Sequence, residues 1–342
     1  MQRGEETLDK FRRPGAQERI KQLAYLLKHT VTIIGRDADI LRPLLRMAIY
    51  AAVLVTVFFA MIWAYAIDAS GTGTVLLLLS VALFLYKFFY YNRQELAVSW
   101  LVSETAFGRD RSLADASEHV ATLRSQARSL ALLDMGAAWI ASRKNNNKSG
   151  MLTNLLLSAI TEGWDLVNHF LLPAFAIDGV GFRDAMGKIR SARDNVPETL
   201  MGVFGIDILG RVVVTIFAPI YVLLGLGGVV LGTWLSGIFP AAFHAGQVGE
   251  VLPPEVLDWL PITAATEFNW LPVLVAIFLG KVVAAVFERA VTTLKVIYFT
   301  LFYARTLHAG SLSQDIRDEL ERYLRMEDGG AAAPDDSATA PG

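Results

Sequence analysis

Residues 44–67 read LLRMAIYAAVLVTVFFAMIWAYAI, an apolar run of over twenty positions broken only by Arg46 near its start. As a helix rising about 1.5 Å per residue, it covers the roughly 30 Å hydrocarbon core of a bilayer. Residues 68–73, DASGTG, supply a turn through Ser70, Gly71 and Gly73. Residues 74–91, TVLLLLSVALFLYKFFYY, then form a second span. It ends in Tyr86, Phe88, Phe89, Tyr90 and Tyr91, with Lys87 and Arg93 among them. Aromatic rings and cations favour the headgroup interface, so the chain leaves the membrane there.

Composition agrees with this reading. Apolar residues are 54% of the 342 positions and charged residues 19%, against about 45–50% and about 25% in soluble domains. Cysteine is absent, which excludes disulfides, thiolate nucleophiles and Cys-ligated metals. Met1 to Gln22 is charged, with no apolar core leading to a cleavage site, and does not read as a secretory signal.

Downstream, the apolar run 129–141 is short for a crossing. After a polar turn comes the longer segment 151–177, which carries Glu162, Asp165, Asn168 and His169 and is broken near its end by Pro173. The pair reads as a hairpin, either a full double crossing or a shallow re-entrant one. Arg211 and Pro219 divide the apolar stretch 200–239, leaving 212–239 as the crossing part. Residues 240–270 form an acidic, proline-containing loop. The last span starts at Leu271 and continues toward His308, its apolar character interrupted by Lys281, Glu288, Arg289 and Lys295.

The expected fold is an all-α polytopic transmembrane helix bundle with amphipathic cytoplasmic helices: four firm spans plus one hairpin, six crossings in all. Residues 1–43 form an amphipathic amino-terminal segment, with Ile20, Leu23, Leu26 and Leu27 at helical spacing among Arg19, Lys21 and Lys28. That helix lies either on a membrane surface or against the protein. Residues 44–308 make the membrane domain. A helix over 309–328 follows, capped by Ser313 with Ile316, Leu320 and Leu324 on one stripe, and then a tail over 329–342 with almost nothing to bury.

Charge orients the chain. Lys and Arg number ten in residues 1–46, eight in 92–150 and four in 178–199, while the connector after the first span and the 240–270 loop have none. Lys and Arg in short loops favour the cytoplasm. Both termini are therefore expected on the cytoplasmic side of the cell membrane, and 240–270, with Glu250, Glu255, Asp258 and Glu267, outside.

Several residues are candidates for function. Asp165 and His169 are four apart on one helical face, with Glu162 three before Asp165. They could ligate a metal or relay protons, but no second His lies nearby, so hydrogen bonding within the hairpin is the commoner use of such a set and no cofactor is called for. Arg211, Lys281 and Glu288 fall in apolar surroundings, where a charge facing lipid costs at least a few kcal/mol. They line an aqueous path or close interhelical ion pairs. Gly225, Gly227, Gly228 and Gly232 make a smooth face for close helix approach, within one chain or between copies, so a homo-oligomer is the expected assembly. Pro173, Asp178, Gly179 and Gly181 form an interfacial turn, after which a basic helix over 182–193 can lie along anionic headgroups of the bilayer. No phosphate-binding loop, nucleophile elbow or HExxH is present, and the basic residues are dispersed as for headgroup contact, not nucleic acid.

Residues 163–185, GWDLVNHFLLPAFAIDGVGFRDA, followed after the basic helix by LMGVFGI at 200–206, resemble an uncharacterised family of prokaryotic multi-pass membrane proteins known only as a domain of unknown function. The resemblance covers roughly residues 15–305. It implies the architecture and brings no activity. Three functional expectations follow: a non-enzymatic oligomeric channel or transporter for a small solute or ion; a membrane scaffold or partner-recruiting subunit; and, third, a lipid-headgroup-processing enzyme.

Overall fold

The structure, a computed structural model, describes residues 32–146, 167–191, 215, 218–250, 254–258, 263, 265–316 and 318. Asp165, Arg211 and most of the amino-terminal amphipathic segment lie outside the described residues, as do 147–166 and 319–342. The elements used below are α1 (Leu41–Ala66), α2 (Ser70–Ala106), α3 (Leu113–Thr122), α4 (Arg124–Asn146), α5 (167–178), α6 (Phe182–Ser191), α7 (Ala218–Trp234) and α8 (Leu271–Leu307). Helices α2 and α8, and the stretch Ala38–Ala66 that contains α1, are long and apolar enough to cross a membrane.

A short 3-10 turn, capped by the Asp37 side chain accepting from the Asp39 amide at 2.8 Å, leads into α1. The chain reverses between α1 and α2 through Asp68, whose φ of 59° is a left-handed conformation that Asp tolerates better than most residues. Here Tyr65 lays its ring over Gly73, where a Cβ would come within 2.9 Å of it. Its hydroxyl sits 3.2 Å from Thr74 Oγ1.

Burial changes along the two 37-residue helices, and that change divides the protein. At about 1.5 Å per residue each is about 55 Å long, well beyond a roughly 30 Å hydrocarbon core. In the first half of α2, Leu78, Val81, Phe84 and Leu85 are exposed, as lipid-facing side chains are; in the second half Leu96, Val98, Leu101 and Val102 are fully buried. In α8, Val275, Ile277 and Leu279 are exposed, and Val296, Ile297, Phe299 and Ala304 are buried. The buried ends meet α3, α5 and α6 in one apolar core with Val120, Leu172, Phe175 and Ala185, closed by Leu312 and Ile316. Each fully buried Leu or Phe in that helical head contributes about 1.5–3 kcal/mol. Within hydrocarbon no such gain exists between helices, and close packing holds them instead.

Several expectations are revised. Tyr91 ends the second span, yet α2 runs on unbroken to Ala106 as a pillar of the head. Helix α4 is 23 residues, longer than the apolar run 129–141 inside it. The described end of the second hairpin arm, α5, does not face lipid: Leu171, Leu172, Ala174, Phe175 and Ala176 are fully buried in the head core. Hydropathy alone does not separate a helix surrounded by protein from one surrounded by lipid. Pro173 does not end the helix either, since α5 continues to Asp178. It removes one backbone donor inside the helix, and termination falls to Gly179, in the left-handed region at φ 61° with its amide donating to Phe175 O at 3.1 Å. The 240–270 loop departs from the all-α pattern. Strands β1 (His244–Gln247) and β2 (Glu267–Asn269) pair antiparallel, His244 opposite Asn269, and bury Phe268 and Asn269 completely.

Candidate functional site

The twenty residues that follow Ser70 carry α2 about 30 Å along its axis, the thickness of a hydrocarbon core, to Tyr90. An aromatic belt stands there. Tyr50 of α1 stacks on Tyr90 at 4.7 Å between ring centroids, meets Tyr91 edge-on at 5.6 Å, and donates its hydroxyl to Leu83 O at 2.6 Å. Arg289 of α8 caps the belt, its guanidinium 4.4 Å from the Tyr91 ring centroid. Arg289 also donates to Glu288 Oε1 at 2.6 Å and lies 3.9 Å from Glu95 Oε1 of α2. The Glu95 side chain is only 8% exposed, so this interhelical charge pair is largely desolvated.

A second charged cluster closes the head. Asp178, at the end of α5, accepts from Lys188 Nζ of α6 at 2.5 Å and from the Tyr303 hydroxyl of α8. His308 Nε2 lies 2.9 Å from its other oxygen, without the alignment of a hydrogen bond. Burial raises the Asp178 carboxyl. The bonds from Lys188 and Tyr303 and the positive potential of His308 and Lys188 outweigh that, and it titrates below the usual carboxylate range. Three elements are tied to one carboxylate. Nearby, His119 stacks on Trp100 and its Nε2 is 2.8 Å from Ala176 O, while Glu104 holds Arg109 at 3.0 Å and Arg111 at 3.4 Å.

The singled-out residues divide among these surroundings. His169 is buried on α5 inside the head, 5.3 Å from the Phe299 ring. Among the described residues no group of three or more His, Asp or Glu is arranged to hold a metal ion. Lys281 and Glu288 share the exposed side of α8, but Glu288 engages the adjacent Arg289, and no ion pair of Lys281 occurs among the described residues. The pair crossing between helices is thus Arg289–Glu95. Gly228 and Gly232 are used within the chain. A Cβ at Gly228 would sit 3.0 Å from Val273 Cα, and one at Gly232 2.5 Å from Asn269 O. Gly225 and Gly227 face open space, and so does Gly181. The basic helix α6 buries Ala185 and commits Lys188 to Asp178, so it is part of the head before it is a headgroup ligand.

Glu95, Lys188, Tyr303 and His308 were not singled out from the sequence. The signal for Glu95 was present: it falls on the face of α2 that continues through Val98 and Val102 and turns inward. These features define a helical protein with long, apolar, outward-facing helices able to cross a membrane and a compact, charge-latched head. Comparison with protein-family models, curated proteins and solved structures gives no match for this chain.

Proposed function

We propose that the chain is a multi-pass cell-membrane protein that acts by interaction, a bilayer-anchored scaffold presenting its helical head to the cytoplasm. The observation that carries this is the pairing of charge: Glu95, Glu104 and Asp178 are each engaged inside the chain, and the helices meeting them form a solid core. The Lys and Arg distribution supports a cytoplasmic head, cytoplasmic termini and an outward β1–β2 cap. Four crossings, with α7 as the third, return the chain to the head. The resemblance of residues 163–206 to the uncharacterised prokaryotic family supports the same architecture.

One observation favours a second reading, passage of a small solute or ion through an assembly of copies. Lys281 is exposed ten residues into α8, about 15 Å along the axis and hence near mid-membrane, where an ionisable side chain usually faces protein or water. The headgroup-processing reading ranks third because His169 is sequestered. Purified full-length protein in vesicles, given ion and solute gradients of both signs, separates these readings. Permeability equal to that of protein-free vesicles is expected. Flux abolished by Lys281→Met would overturn the scaffold and establish transport.

A further inference from the structure

Beside the aromatic belt, α2 and α4 flank a half-open cavity of about 340 Å³ lined by Tyr86, Phe89, Arg93, Arg124, Ala127 and Arg128. Three arginines from two helices line it, all three exposed. None of the three makes an ion pair or hydrogen bond among the described residues. Asp134 of α4, which is not in the lining, accepts from Asn92 Nδ2 of α2 at 2.6 Å. The charge count is therefore +3 in one cavity, with no acidic residue in its lining.

We infer that this cavity binds the headgroup of an anionic phospholipid carrying at least two negative charges. Guanidinium forks match phosphate oxygens in bidentate geometry, and three of them leave one singly charged headgroup overmatched. Depth selects lipid over a soluble phosphate. Tyr86 and Phe89 lie where α2 leaves the hydrocarbon, and the surface running outward from them is the exposed apolar face with Leu78, Val81 and Leu85. A headgroup seated on the arginines has its acyl chains beside that face, and the aromatic walls carry the glycerol region. The site rests on the membrane reading of α2 and a head at its inner end, and is independent of whether the protein is a scaffold or a transporter.

Native mass spectrometry of the full-length protein in detergent, titrated with a bis-phosphatidyl lipid, phosphatidylglycerol or phosphatidylcholine, tests it. The doubly charged lipid should bind at least about tenfold more tightly than phosphatidylcholine, with phosphatidylglycerol between. Arg93→Gln and Arg128→Gln should each weaken it about tenfold, the order expected for losing one charge-assisted contact. Arg93→Lys, which keeps the charge, should recover part of the loss, and Arg42→Gln, an exposed arginine outside the cavity lining, should change nothing. Melting temperatures of the variants near wild type confirm that they are folded. Should a variant misfold, competition for the site by soluble glycerol phosphate on the wild-type protein reads the same cavity. Unchanged lipid binding in the Arg93/Arg124/Arg128 triple Gln variant overturns the site. Binding of inorganic phosphate with no preference among the lipids overturns the lipid assignment.

Discussion

Replacing Gly232 by alanine adds one methyl group and should still destabilise the protein. On α7 a Cβ at this position would lie 2.5 Å from the carbonyl oxygen of Asn269 and 2.9 Å from Phe268 Cε2. Neither neighbour can yield freely. Asn269 is fully buried, its Nδ2 donates to Pro240 O at 3.0 Å, and its Oδ1 receives the Leu271 amide at 2.9 Å, so moving its backbone disturbs the start of α8. Overpacking of this kind costs about 1–3 kcal/mol, and the oxygen involved is backbone, which puts the cost in the upper part of that range. Alanine is the better helix former by about 1 kcal/mol, so the net loss should be about 1–2 kcal/mol. Gly225, on the same helix, has nothing within 4 Å of its Cβ position. Gly225→Ala collects the propensity gain alone and should be neutral or stabilising by up to about 1 kcal/mol. Melting temperatures in one detergent, read by circular dichroism and by a tryptophan probe, give both numbers. Equal melting temperatures for Gly232→Ala and Gly225→Ala would refute the packing of α7 on the β2–α8 junction.

Three further outcomes are expected. Arg289→Met takes the guanidinium away from the buried Glu95 carboxylate and should lower stability by about 1–3 kcal/mol, part of which Glu95→Gln in the same chain restores; an unchanged melting curve would remove the pair from the account. The folded-state carboxyl of Asp178 is depressed, so its contribution is full above the ordinary carboxylate value of about 4 and disappears as pH falls through the lower native value; wild-type melts should lose stability in that acid window, and Asp178→Asn should flatten the profile while lowering stability at pH 7. Because the chain has no cysteine, Glu255→Cys and Asp110→Cys report topology directly. A membrane-impermeant maleimide should label position 255 from outside and 110 only after the membrane is opened, and the reverse pattern would invert the assigned orientation.

Residues 44–67 and 74–91 were legible as parts of helices long and apolar enough to cross a membrane, because length and composition are properties of the segment itself. The continuous final helix, the small-residue face of α7 and the glycine turn at Gly179 were legible on similar local grounds: backbone conformation and side-chain size act where they stand. What surrounds an apolar helix is a different matter. Residues 171–176 are as hydrophobic as a lipid-facing segment, yet they lie buried in the head, because neighbouring protein and neighbouring hydrocarbon are nearly equivalent solvents for Leu and Phe. Charge partners were equally hidden. Spacing put Lys281 and Glu288 on one side of α8, but the partner of Glu95 is Arg289, and Asp178 meets Tyr303 across 125 positions of sequence. The three arginines of the α2–α4 cavity are 31 and 35 positions apart in the chain, Arg93 from Arg124 and from Arg128. They become one site only because α4 folds back along α2, an arrangement decided by which faces can be buried together.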